Sequence, residues 1–482
     1  MTTDRAPAAP EAAPVQAAET PGTSGLMEQH TIGPIPEAER TGTARGVFGI
    51  WLGVNMLPLT VITGALATTA FALPFGWALL AVVIGNLVGG VFMALHASQG
   101  PQLGVPQMIQ ARGQFGTKGA ALVVLVAMVM FMGFYISNLV VGAQSLHGVY
   151  SAVDPTAAIV GAAVVSMAIT VIGLRLIKVI ITVSAVVVGL LVLASLVWIL
   201  VSGVPDGALT AGTFSGTGFV SMIAVGAVWQ IAYAPYVSDY SRYMPSGSGA
   251  RAAFWATYGG TLISSVLVMT LGCLVGSAAK GDDVVGGLAS LTGGLSTTVL
   301  LAFAGASALG NAGNVYCATL NTLTLAETFK PGWLPGLKAR LVTSGVLHVV
   351  GVVVALAATG GFLTSFTNFI TVLLYVLVPW SAINLVDYFV IRDGHYNVPA
   401  FFAPGGGPYG SWNVPALVVY LVGLAVQIPF VVLPMYVGPV AAEIGGIDLA
   451  WLVGLAVSGC LYWLVARRSQ QPRPDVSVAA TR

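Results

Sequence analysis

Four short clusters in this sequence set carboxamides beside aromatic rings. Phe134 and Asn138 form one, Trp229, Gln230 and Tyr233 a second, Asn311 and Asn314 with Tyr316 a third, and Asn55 with Trp51 a fourth. Aromatic faces pack on a flat ring, and amides offer donors and acceptors together, which suits the mixed edge of a heterocycle. Such groups hold a solute; they do not break its bonds. No nucleophile stands beside a base, and no His, Cys and carboxylate cluster has metal spacing. Cys273, Cys317 and Cys460 lie far apart in apolar segments and read as small packing residues. Neither a metal nor an organic cofactor is expected, and the chain does not read as an enzyme.

All four clusters lie within long apolar runs. Asn55 and Pro58 stand 10 and 13 residues beyond Arg45, and Tyr233 and Pro235 stand 9 and 7 before Arg242. At a rise of about 1.5 Å per residue, these positions are near the middle of a bilayer. Proline there removes a helix hydrogen bond, and freed backbone groups at that depth need protein or a watery cavity. Breaks at Pro58 and Pro235, five spans apart, are the pattern of a transporter whose solute binds where broken helices meet. Ser307, Asn311, Asn314 and Asn321 share an arc of about 80° on one helix face, and Phe134 and Asn138 are one turn apart. Thr364, Asn368, Thr371 and Tyr375 form another stripe, readable as helix packing or as a gate. No Asp, Glu, Lys or Arg occurs at mid-depth, and a charged solute would need a buried counter-charge. The expected solute is neutral, planar and hydrogen-bonding.

The elements that position these groups follow from composition. Of 482 residues, 56% are hydrophobic and 7% charged, against about 25% charged in soluble proteins. The class is an all-α polytopic membrane protein. Apolar runs of at least about 18 residues predict twelve transmembrane helices, at 46–70, 77–98, 120–145, 157–174, 178–202, 218–241, 252–277, 295–325, 341–359, 362–390, 413–437 and 447–466. Seventeen of the eighteen Lys and Arg fall on one side of this arrangement; the exception is Lys280. Basic residues collect on the cytoplasmic side, so both termini are expected there, in a plasma (inner) membrane. With five spans per half, the second half enters from the opposite face. The expected organisation is a disordered cytoplasmic tail (1–44), a first inverted repeat (45–202), a second (203–391), two further spans (392–466) and a cytoplasmic tail (467–482). Near-neutral net charge points away from nucleic acid; the expected partners are the solute and lipid.

The run Ser238-Asp239-Tyr240-Ser241-Arg242-Tyr243 is similar to the Asp-aromatic-Ser/Thr-Arg-Tyr signature of the nucleobase–cation symporter-1 family. Gly310-Asn311-Ala312-Gly313-Asn314-Val315-Tyr316-Cys317 resembles the Asn-rich eighth span of its purine–cytosine permease branch. The resemblance covers residues 40–466. It implies a five-plus-five inverted-repeat (LeuT-type) fold with two additional C-terminal helices, importing nucleobases, hydantoins or allantoin with sodium or protons. By position, the ring-stacking aromatics fall on Phe134 and Trp229, and the substrate amides on Asn138, Asn311 and Asn314. Phe134 departs from the usual Trp. Leu309-Gly310 stands where sodium-coupled members tend to carry hydroxyls, and span five lacks the Glu of some proton-coupled relatives. His348 and His96 are the remaining titratable candidates, so the coupling ion is H+ or Na+. Asp239 and Arg242 fit either an inner latch or a simple interfacial pair.

The expectation is a secondary active importer of cytosine or a purine, working by alternating access, with Asn55, Phe134, Asn138, Trp229, Gln230, Tyr233, Asn311 and Asn314 meeting the solute. The alternatives are a same-fold carrier of another neutral heterocycle (allantoin, hydantoin, vitamin-like) or of an amino acid, and, from another class, an integral-membrane enzyme.

Overall fold

The computed structural model describes residues 33–468, apart from 173, 280–282, 331–332, 334 and 434. The loose tails expected over 1–32 and 469–482, and Lys280, lie outside the described residues. The chain is helical. In order come α1 (Ala44–Val54), α2 (Pro58–Ala65), α3 (Phe75–Ala97), α4 (Gln99–Leu103), α5 (Gln107–Phe115), α6 (Ala121–Val149), α7 (Pro155–Ile172) and α8 (Leu174–Ser202). There follow α9 (Gly216–Ile231), α10 (Ala234–Ser241), α11 (Ser246–Ala278), α12 (Val284–Thr292), α13 (Ser296–Phe329), α14 (Leu337–Ala358) and α15 (Phe362–Leu385). The last are α16 (Val414–Ala425), α17 (Pro439–Glu443) and α18 (Ala450–Ala466). Strands β1 (Val432–Leu433) and β2 (Tyr436–Val437) form a small hairpin.

Among the described residues, eight helical stretches are long and apolar enough to cross a membrane, or nine if α1 and α2, bent by 63°, are one span. The local chemistry of that bend is simple. Asn55 ends α1, and Leu57, preceding proline, is extended at φ −132° and ψ 147°, as the residue before proline prefers. Pro58 then opens α2, where its missing N–H is not needed. The second expected break is milder. Pro235 is again in a first helical turn, that of α10, yet Gly216–Ser241 continues as one 26-residue span.

Two expectations change. The run 413–437 is not one helix: α16 ends at Ala425, and the chain turns through Ile428–Phe430 into the β1–β2 hairpin. Pro429 donates no backbone hydrogen bond and disfavours a helical Ile428. Residues 33–43, assigned by composition to a disordered tail, are docked. Buried Ile35 donates its N–H to Gly104 O (3.0 Å), Arg40 Nη1 to Pro101 O (2.7 Å) and Gly42 N to Tyr243 O (2.7 Å). Glu37 accepts from Ser246 N at 2.8 Å and from its Oγ at 3.0 Å. Ile35, Glu37, Arg40 and the Gly42 backbone together anchor this segment.

α13 packs along α6, α3 along α9, and α11 against α1, α2 and α3. Small residues permit these approaches. A Cβ on Gly64 would stand 2.3 Å from Met269 O, and one on Gly272 2.1 Å from Val61 O. The first break is thereby held against α11.

Candidate functional site

Asn55, at the end of α1, is the hub of a buried network. Its Oδ1 accepts from Trp229 Nε1 and Tyr233 Oη, both at 2.9 Å. Its Nδ2 donates to Thr261 Oγ1 (3.0 Å) and Ser264 Oγ (3.1 Å) of α11. Gln230 is equally engaged: Nε2 donates to Asn86 Oδ1 (2.6 Å) and Ser265 Oγ (2.9 Å), and Oε1 accepts from Thr261 Oγ1 (2.6 Å). Asn55, Gln230 and the Tyr233 hydroxyl, expected to face a solute, thus spend their polar atoms on the protein. Pairing lowers the cost of burying polar groups this deeply, and neighbours on α3 and α11 supply most of the partners. The network joins the two breaks directly.

A second group lies where α6, α9, α13 and α15 meet. Phe134 and Trp229 touch edge to face, centroids 6.0 Å apart, and Phe369 lies edge-on to Phe134 at 5.5 Å. These are the T-shaped contacts that ring quadrupoles favour. Asn138 is buried, and its Oδ1 has no hydrogen-bond partner; neither has Ser307 Oγ. One turn beyond Asn138, a Cβ on Gly142 would stand 2.9 Å from Ser307 Cβ, so these faces of α6 and α13 converge. On the same face of α13, Asn311 Nδ2 donates to Tyr135 O (3.2 Å), and Asn314 Nδ2 to Asn311 Oδ1 (3.3 Å). Phe134, Asn138, Trp229, Asn311 and Asn314 are therefore assembled from three distant stretches of chain.

At the α10 end of this bundle, Asp239 Oδ1 accepts from Gln107 N, the first residue of α5, at 2.9 Å. Arg242 is buried, lies over the Tyr243 ring at 5.1 Å and donates to Gly33 O at 3.4 Å. Both residues join α10 to other segments. His348 is buried between α14 and α7, its Nδ1 beside Ser344 O (2.9 Å) and its Nε2 beside Ser166 Oγ (3.2 Å). His96 packs on Trp380 at 5.0 Å, with Nδ1 2.8 Å from Phe92 O.

Two buried carboxylates lie near span ends, away from mid-depth. Asp387 lies in the π-helical turn Val386–Ile391 that ends α15. It accepts from Tyr462 Oη (2.8 Å), Arg392 Nε (2.9 Å) and the Tyr396 hydroxyl. Burial first, then the Asp387 charge, pushes the Tyr396 hydroxyl well above its usual range, so Tyr396 keeps its proton as a donor. Asp448, just before α18, accepts from the Tyr375 hydroxyl and from Ala450 N (3.0 Å). It borders a cavity of about 540 Å3 between α9, α15 and the hairpin, at the end opposite Asp239. Its buried tyrosine partner, 73 residues away, gives no local signal.

Comparison with known proteins agrees with this architecture. A family profile described as "Permease for cytosine/purines, uracil, thiamine, allantoin" matches residues 34–454. The putative purine-cytosine permease YxlA of Bacillus subtilis is 36% identical over 448 residues, 92% of this chain and 96% of that relative. The purine-cytosine permease fcyB of Emericella nidulans is 29% identical over 463 residues, covering 90% and 87% of the two chains. The fold is similar to that of Mhp1, a nucleobase-cation-symport-1 family transporter solved in a closed conformation with bromovinylhydantoin bound. That match has a TM-score of 0.71 at 17% identity, over 92% of this chain and 95% of Mhp1. An integral membrane transporter built on this fold, the chain belongs to the cytosine/purine permease family of nucleobase–cation symporters.

Proposed function

We propose that this protein imports a neutral planar nucleobase, cytosine or a purine, by symport with a cation, H+ or Na+. The observation that carries the reading is the meeting of half-buried Phe134 and buried Trp229 with Asn138, whose Oδ1 is unpartnered at depth. An unpaired buried acceptor costs on the order of 1–3 kcal/mol, and a solute N–H would remove that cost. A flat ring entering here replaces the edge contacts around Phe134 with stacking on Phe134 and Trp229. Asn314 presents its remaining amide valences from α13, held by Asn311. Asn55, Gln230 and Tyr233 act at one remove, by fixing Trp229 and the breaks. We assign Asp239 and Arg242 to closure of the inner end, through α5 and the docked N-terminal strand.

The reading also takes the chain to have twelve spans. Nine become ten if Leu337–Ile391 is divided at Thr359–Gly361, where α14 gives way to α15, and twelve if α16 with its turn and α18 also cross. In this reading five spans form each inverted half and two follow, and the basic loops support cytoplasmic termini.

Radiolabelled uptake into cells or proteoliposomes, with a panel of cytosine, uracil, adenine, hypoxanthine and allantoin under separate proton and sodium gradients, tests the proposal. Saturable, gradient-driven uptake of cytosine or a purine is expected. Absence of saturable uptake of any base from correctly inserted protein refutes it. Uptake of allantoin alone moves the assignment to another heterocycle on the same fold.

A further inference from the structure

The cavity beside Asp448 is separate from the ring site, since none of Phe134, Asn138, Asn311 and Asn314 lines it. Its volume of about 540 Å3 lies within the range of about 300–1,000 Å3 typical of small-molecule sites. Val228, directly before Trp229, belongs to its wall, so the two sites are neighbours in series along α9. Its polar lining comes mainly from one face of α15: Thr364, Thr367, Asn368 and Thr371 span an arc of about 100°. Ser221 joins them from α9.

These side chains are not used up by the protein. Among the described residues, Ser221, Thr364 and Asn368 make no side-chain hydrogen bond. Thr367 and Thr371 donate their hydroxyl protons to carbonyls one turn back, both at 2.8 Å, and are left as acceptors. Asp448 is 6% exposed. Its oxygens hold the two hydrogen bonds described above, from Ala450 N and from Tyr375, and a third from the backbone N–H of Val432 in the hairpin. An ionised carboxylate offers about four acceptor positions, so about one remains for a solute N–H. The cavity is thus rich in acceptors, and its carboxylate is set where an arriving solute passes before reaching Trp229.

We infer that this cavity is an access site for heterocycles bearing an exocyclic amino group, with the Asp448 carboxylate accepting their N–H donors and Asn368 completing the contact. The inference rests on the transport reading above and adds a selectivity step to it. An amino-to-oxo exchange turns a donor into an acceptor facing a carboxylate, an arrangement that leaves both groups unsatisfied. Sites built around a hydrogen bond reject such analogues far more strongly than hydrophobic pockets do.

The test compares cytosine with uracil as competitors of radiolabelled uptake in the wild type, Asp448→Asn and Asn368→Leu, with surface expression measured in parallel. Asp448→Asn is nearly isosteric and retains an acceptor oxygen, but its amide can also donate. It is expected to lower the cytosine-over-uracil preference about tenfold, equivalent to about 1.4 kcal/mol. Asn368→Leu leaves the Tyr375–Asp448 contact intact and is expected to raise KM severalfold with Vmax unchanged. If Asp448→Asn fails to reach the membrane, the Asn368→Leu result decides. Wild-type preference and KM in both variants would overturn the inference while leaving the transport reading intact, and so would a change confined to Vmax. A wild type that transports no base overturns both.

Discussion

Replacing Asn55 by alanine should lower the melting temperature in detergent markedly and abolish transport with it. The side chain accepts from Trp229 Nε1 and Tyr233 Oη, and donates to Thr261 and Ser264. Alanine leaves the indole and phenol donors buried without partners, at about 1–3 kcal/mol each. It also opens a gap where α1 meets α9 and α11. The expected loss is several kcal/mol, a large share of a typical protein's stability margin. Because Asn55 fixes Trp229, any protein that does fold should bind its solute weakly. An Asn55→Ala protein with a wild-type melting curve but no uptake would instead place Asn55 in contact with the solute.

Asn138→Leu should do the opposite: abolish uptake while leaving the melting temperature unchanged or raised. Asn138 Oδ1 has no partner, so apolar replacement relieves a buried acceptor without breaking a known bond. Leucine is close in volume and helix-compatible. The solute, by contrast, loses the amide that reads its edge, an effect expected to be at least a hundredfold on uptake at limiting concentration. Thermal melting and initial-rate uptake on the same preparation separate the two variants. Retained uptake in Asn138→Leu would remove this amide from the site.

The contrast between these residues explains what was legible in the sequence. Most span positions were readable because an apolar helix is a local pattern, and the first break was readable because Asn55 and Pro58 interrupt one. The ring site was partly readable, since Phe134 and Asn138 sit one turn apart and Asn311 and Asn314 share a face. The roles of Asn55 and Gln230 were not: their partners Thr261, Ser264, Ser265 and Asn86 lie 35 to 209 residues away, apart from Thr261 at 31 from Gln230. An amide at mid-depth looks the same whether it faces a solute or another helix. Residues 432–437 were hidden for a different reason. A short run of Val, Leu and Tyr suits a strand as well as a helix, and only its pairing across Val432 and Val437 decides. The burial of Asp448 by α15 and the hairpin is a tertiary fact with no local signal.

The matched breaks also proved unequal. The first bends by 63° and the second carries its interruption within one 26-residue span, yet Asn55 ties them together through Trp229 and Tyr233. The junction, more than either proline, is what positions Trp229 in the proposed ring site.

The most direct test of the account is a cryo-EM density map of the protein saturated with a transported base. The account predicts planar density between Phe134 and Trp229, within hydrogen-bonding distance of Asn138 Oδ1, whether or not a second molecule occupies the cavity beside Asp448. Base density found only in that cavity, with Phe134 and Trp229 still edge to face and Asn138 unpartnered, would contradict it.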